Sequence, residues 1–158
     1  MNRGQAPVLI QRELLLSDSG APAARAIEVL VSFLRRGRPA LLVAEQPVRW
    51  RPTRRAVDHD LALQQQLHQA VRRAGAEIDG IVYLTTGLFA RRQARLTELD
   101  ELANRYDLTG ADLTLIAREP VLLESIVRTG GRALAIGETS VGGAVGYSSL
   151  KEALRSLG

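Results

Sequence analysis

The sequence contains no cysteine, which excludes disulfides and thiolate metal sites together. No apolar run reaches membrane-spanning length, and the most apolar stretches are strand-sized. Met1-Asn2-Arg3-Gly4 brings one charge ahead of a short apolar run that ends in charge at Arg12 and Glu13, which is not a secretory signal pattern. An absence of cysteine suits any compartment, so the cytoplasm is the simplest expectation. Lysine is nearly missing too: Lys151 stands against 20 arginines, a bias that reads as a GC-rich genome more than a designed surface. The most informative lack is aspartate at the ends of the predicted strands. The first strand ends Val8-Leu9-Ile10-Gln11-Arg12-Glu13 and the fourth Leu115-Ile116-Ala117-Arg118-Glu119. In an open α/β sheet, ligands bind at these carboxyl ends. Here they carry Gln, Arg and Glu instead of a carboxylate pair built for magnesium.

What is present is ordinary globular material: 46% apolar and 24% charged over 158 residues, enough for one domain, 1–158, with a full core. The charge is uneven. Residues 35–95 carry a net +7 and residues 96–158 a net −3. A basic middle can draw anionic partners, or it can be a solvated arginine-rich surface.

Strand and helix signals alternate along the chain. Pro7 to Ile10, Pro39 to Ala44, Gly80 to Leu84, Asp112 to Ala117 and Arg132 to Ile136 read as strands. Ala23 to Arg36 places Ala26, Ile27, Leu30, Phe33 and Leu34 at helical spacing, and Gly37 stops that helix. Pro47 to Val57 reads as a long loop, with Asp58 as the cap of a helix running to Gly75. Thr85 to Arg95 reads as irregular, followed by a helix from about Leu96 to Tyr106. Pro120 opens a helix that Gly130-Gly131 ends, Glu138 to Gly146 reads as a loop, and Ser148 or Ser149 caps a last helix from Leu150 to Leu157. The alternation predicts an α/β three-layer sandwich with a five-stranded parallel sheet covered on both faces.

Four segments carry a family resemblance. They are Arg72-Arg73-Ala74-Gly75-Ala76-Glu77-Ile78-Asp79-Gly80-Ile81-Val82-Tyr83; Ala103-Asn104-Arg105-Tyr106 with Leu108 before a strand; Gly130-Gly131-Arg132 leading into a strand; and Tyr147-Ser148-Ser149-Leu150. With the element order, they resemble the haloacid dehalogenase (HAD) superfamily, in its uncapped heptose-bisphosphate and histidinol-phosphate phosphatase branch. The resemblance spans nearly the whole chain. It implies a HAD-like Rossmannoid fold without a cap and with strand order 5-4-1-2-3.

The resemblance also implies where catalytic groups belong, and those positions are altered. The family's first strand ends Asp-x-Asp, a nucleophile that attacks phosphorus and a general acid-base. Here the positions hold Gln11 and Glu13, around Arg12. The hydroxyl at the end of the second strand becomes Ala44, within Ala44-Glu45-Gln46. The lysine of the third motif becomes Gln93, beside a retained Arg92. The two aspartates of the magnesium motif become Arg118 and Leu122. The branch's Cys/His zinc loop maps onto Leu84-Thr85-Thr86 and beyond, with neither ligand type. Loss of the nucleophile alone removes a rate factor on the order of 10⁴ or more. Loss of the metal also removes charge neutralisation. The expectation is therefore a pseudophosphatase with no catalytic residue, metal or cofactor, acting as a scaffold, regulatory or interaction protein.

Two constellations are candidates for binding. Arg118, Arg92, Arg12, Glu13 and Gln46 gather at the strand ends. They make either a metal-independent pocket for a phosphorylated metabolite, or a filled site in which Arg118 neutralises Glu13, Glu45 or Glu119. Residual phosphohydrolysis through Glu13 is a further alternative. The second constellation, Arg49, Trp50, Arg51, Arg54 and Arg55, suits a protein partner or self-association, a leftover specificity loop, or, with no recognised motif behind it, nucleic acid. His59 and His68 lack metal spacing, Ser17-Asp18-Ser19 reads as turn chemistry, and the glycines at 137, 142, 143 and 146 do not form a dinucleotide fingerprint.

Overall fold

Six parallel strands form one sheet in the order β3-β2-β1-β4-β5-β6. They are β1 (Val8–Gln11), β2 (Ala40–Pro47), β3 (Gly80–Thr86), β4 (Thr114–Ala117), β5 (Arg132–Ile136) and β6 (Val145–Tyr147). The helices are α1 (Ala24–Leu34), α2 (Arg54–Arg73), α3 (Arg92–Arg105), α4 (Pro120–Arg128) and α5 (Leu150–Ser156). This computed structural model describes residues 6–47, 53–86 and 92–157.

The sheet has period-two strands with both faces buried, so each strand feeds two cores. Val8, Ile10, Leu42, Ile116 and Leu134 pack with Ile27, Leu30 and Phe33 of α1, Leu67 and Val71 of α2, and Leu154 of α5. Leu9, Leu41, Val43, Leu115 and Ala133 pack with Leu99 and Leu102 of α3 and Leu123 and Ile126 of α4. Register follows the same logic: Val8 lies opposite Ala40 on one side and Thr114 on the other.

The order of the first five strands is the expected one, and the three-layer sandwich is as read from the sequence. The sheet has six strands, not five. Val145–Tyr147, which begins inside the expected loop Glu138 to Gly146, pairs in parallel with Leu134–Ile136. It is three residues long and exposes Val145 and Gly146, so it has no apolar run to announce it. Four other boundaries differ in particular. The N-cap of α2 is Thr53, whose side chain accepts from Ala56 N–H, and Asp58 lies inside the helix. The second strand reaches Pro47 and the third Thr86. The third helix opens at Arg92. The helix opening at Pro120 is as expected and is capped by Glu119, which accepts from Leu122 N–H. Ser149 caps α5, while the Ser148 hydroxyl donates to Glu152.

Candidate functional site

At the centre of the sheet the chain ends β1 with an amide buried to 3% exposure, and that amide ties three strands together. Gln11 Nε2 donates to Glu45 Oε1 on β2 at 3.1 Å, and more weakly to Glu13 Oε2 at 3.5 Å. Gln11 Oε1 accepts from the backbone N–H of Arg118 at 2.7 Å and of Glu119 at 3.2 Å, just beyond β4. A carbonyl oxygen has two lone pairs, so two N–H donors use its capacity. The Arg118 carbonyl is held in turn by the Thr139 hydroxyl at 2.8 Å. Gln11 is thus a closed knot between β1, β2 and β4.

Three carboxylates surround the knot. Glu45 is half-buried, and burial together with repulsion from Glu119 and Glu13 pushes its carboxyl up to about 7. Glu13 is exposed. Glu119 is spent on capping α4. Arg118 does not neutralise them: its side chain is exposed and makes no ion pair among the described residues. Leu122 is 1% exposed and belongs to the core between the sheet, α3 and α4. Ala44 is buried in β2.

The next residue, Arg12, turns the other way. Its Nη2 donates to Asp60 Oδ1 at 2.7 Å and its Nη1 to Gln64 Oε1 at 3.2 Å, both on α2. Gln64 is itself bonded to His68 at 3.0 Å, and the Tyr83 hydroxyl donates to Asp60 from β3. Burial works to raise the Asp60 carboxyl, but hydrogen bonds from Arg12 and Tyr83 and the charges of Arg12 and His59 outweigh it, so the value is lowered. Burial and the Asp60 carboxylate raise the Tyr83 hydroxyl. This second knot holds the amino-terminal half of α2 over the strand ends. The buried stripe of α2 consists of Gln64, Leu67 and Val71, so its first two turns overhang the sheet. Beneath the overhang lies a cavity of about 430 Å³ lined by Glu45, Ala56, Val57, His59, Asp60, Leu61 and Tyr83.

Gln11, Glu13, Glu45 and Arg118 therefore come together, while Arg12 leaves them for α2. Arg92 and Gln93 lie in α3 and Gln46 in β2, but their side chains are outside the described residues, as are Arg49, Trp50 and Arg51. Arg54 and Arg55 are exposed in the first turn of α2. Sequence reasoning missed Asp60, Gln64 and Tyr83. They are 48, 52 and 71 positions from Arg12, and only the i, i+4 spacing of Asp60, Gln64 and His68 on α2 hinted at a polar stripe, with no such signal for Tyr83 on β3. Arg95 was missed as well: it is 9% exposed, and its Nε donates to Ser125 of α4 at 3.1 Å.

Magnesium does not fit this arrangement. The positions where the HAD resemblance puts its oxygen ligands hold an amide already bonded on both ends, an exposed guanidinium and a core leucine. Among the described residues, no group of three or more His, Asp or Glu side chains is placed to hold a metal ion. A larger hollow of about 610 Å³ lies at the opposite, amino ends of the strands, under Pro7, Pro39 and Asp79. Several of its polar groups close the fold: Arg35 donates to the Ala74 carbonyl, Arg38 Nη1 to the Leu157 carbonyl, and Asp79 accepts from Ala40 N–H, while Arg38 Nε is buried with no hydrogen-bond partner among the described residues. Among the described residues, no helix is long and apolar enough to cross a membrane.

No protein-family model matches the sequence, and no curated protein matches it. Solved structures do match the fold. The D,D-heptose 1,7-bisphosphate phosphatase of B. bronchiseptica, complexed with magnesium and phosphate, superposes with a TM-score of 0.68 at 13% identity, covering 95% of this chain and 96% of that one. The D,D-heptose 1,7-bisphosphate phosphatase of Burkholderia thailandensis gives 0.67 at 15% identity, covering 94% and 96%. A putative HAD-like phosphatase from Mesorhizobium loti gives 0.65 at 15% identity, covering 98% and 88%. The chain has the HAD-like fold of these phosphatases over at least 94% of its length, without a cap domain among the described residues.

Proposed function

We propose that this chain binds without turnover: a non-catalytic protein on a phosphatase-type HAD-like fold, serving as a scaffold, regulatory or interaction protein in the cytoplasm. Its partner is another protein or a second copy of itself. The observation that carries the reading is the knot at Gln11. A neutral amide is a poor nucleophile at phosphorus, and this one has its oxygen committed to two backbone donors and its nitrogen to Glu45. The surrounding Glu13, Glu45 and Glu119 place negative charge where a phosphoryl group would have to approach. Turnover of an aryl phosphate, with and without Mg²⁺, tests the reading. The expected result is none above background. Turnover that disappears in Glu13→Gln would overturn it in favour of residual hydrolysis through Glu13.

A second reading, a metal-independent sensor of a phosphorylated metabolite, draws on one observation. Arg118 is an exposed guanidinium beside the knot with no ion pair among the described residues, free to grip a phosphate in bidentate fashion. Thermal-shift protection by inorganic phosphate or a sugar phosphate without magnesium, lost in Arg118→Ala, is the result that reading requires.

A further inference from the structure

The cavity under the overhang of α2 is left open by both knots. Its walls are apolar: Ala56, Val57 and Leu61 from α2 and the ring of Tyr83. Leu61 and Tyr83 are large apolar side chains at 56% and 42% exposure, so an occupant would cover them. Its volume suits a small molecule.

Charge narrows the occupant. Asp60 is already held by Arg12 and Tyr83, which leaves Glu45 as the available acceptor. Glu45 Oε1 takes the Gln11 amide, while Oε2 has no hydrogen-bond partner among the described residues. The groups facing Glu45 are Glu13 from the turn after β1 and Glu119 from the cap of α4, both of which repel it. Asp60 and His59 stand on the α2 side of the cavity. An anion in the cavity would meet the Glu45 carboxylate, whereas a cation would relieve its burial and repulsion. We propose that this cavity binds a small organic cation with a flat apolar body, an aryl amidine or aryl-alkyl amine, seated on Leu61 and Tyr83 with its charged group on Glu45 Oε2. The site goes beyond the non-catalytic reading and does not depend on it.

Titration calorimetry of the full chain at pH 8 tests the proposal with three probes of one shape: benzamidine, neutral benzamide and anionic benzoate. Benzamidine is expected to bind at one site, with benzamide about tenfold weaker or more, since a charge-assisted bond to Glu45 is lost, and benzoate without measurable heat. Glu45→Gln should weaken benzamidine by about tenfold and leave the protein folded, because the amide still offers an oxygen to Gln11. Leu61→Ala, an exposed position with little role in folding, should weaken it by about threefold through lost apolar contact. No benzamidine binding at several millimolar, equal binding of benzamide, or unchanged affinity in both variants would overturn the proposal. Aryl phosphate turnover would defeat the non-catalytic reading and leave this result standing.

Discussion

Gln11 and Arg12 are neighbours in the chain, yet they build opposite kinds of region. Gln11 faces inward and joins β1 to β2 and to the end of β4 through three hydrogen bonds, closing the space at the strand ends. Arg12 faces outward and joins β1 to Asp60 and Gln64 of α2, which props a helix over the sheet edge and keeps a cavity open. One region is polar and filled; the other is tethered by polar contacts but lined by apolar ones. The contrast teaches that neighbouring residues at a strand end can close one space and frame another, because β1 ends at Gln11 and the chain enters a 3-10 turn at Arg12, which sends the next side chain toward α2.

The largest effect is expected on the outward side. Arg12→Ala strands the part-buried Asp60 carboxylate and the Gln64 oxygen, and should cost about 2–3 kcal/mol in a urea titration. The loss should also free the first turns of α2 to faster hydrogen exchange. If exchange of 54–61 stays unchanged, the tether is not what holds the overhang. On the inward side, Gln11→Ala leaves the Arg118 and Glu119 N–H groups without their acceptor and should cost about 2 kcal/mol. Gln11→Asp keeps the acceptor but adds a fourth carboxylate. It should restore no phosphatase activity, since Arg118 and Leu122 still stand where the HAD resemblance puts the magnesium ligands.

A smaller effect separates the two knots by pH. In the folded chain the Glu45 carboxyl titrates at about 7, against 4.5 when unperturbed. Between these values the native state holds a proton that the unfolded state has released, so stability falls as pH rises through the window and the loss is complete above 7. Glu45→Gln removes the penalty. Allowing for the half-exposed position, it should be about 1–2 kcal/mol more stable than the parent at pH 8, with the difference gone near pH 4.5. A difference that does not change with pH would show that Glu45 is not strained by burial and its acidic neighbours. The smallest effect belongs to Tyr83→Phe, which deletes one donor to Asp60 and should cost about 1 kcal/mol in thermal unfolding. Because Tyr83 helps to keep the Asp60 carboxyl low, the variant should also raise the titration of Asp60, as read by NMR.

Most of the fold was legible because its signals are local. Short β-branched runs alternate with helical periodicities, and Pro120 and Gly37 mark boundaries that the chain uses. The sixth strand was not legible, since Val145–Tyr147 is an exposed edge that depends on its pairing with β5. Nor was the start of α2, where Thr53 caps two arginines that show no apolar period, so Asp58 looked like the better cap. At the site, the altered positions Gln11, Glu13, Ala44, Arg118 and Leu122 could be read from the strand ends and the family resemblance. Their partners could not. That Arg12 would leave its neighbours for Asp60 and Gln64, or that Arg118 would stand exposed without an ion pair among the described residues, depends on packing across the sheet edge, which no local pattern encodes.

The most direct test of the account follows the two backbone amides that bond to Gln11 Oε1. Their ¹H–¹⁵N signals, Arg118 and Glu119, should stay in place as Mg²⁺ and inorganic phosphate are raised together to several millimolar, and should shift in Gln11→Ala. A saturable shift of these two amides in the native protein would contradict the account, because it would show that the closed end of β1 still opens to the metal or the phosphate.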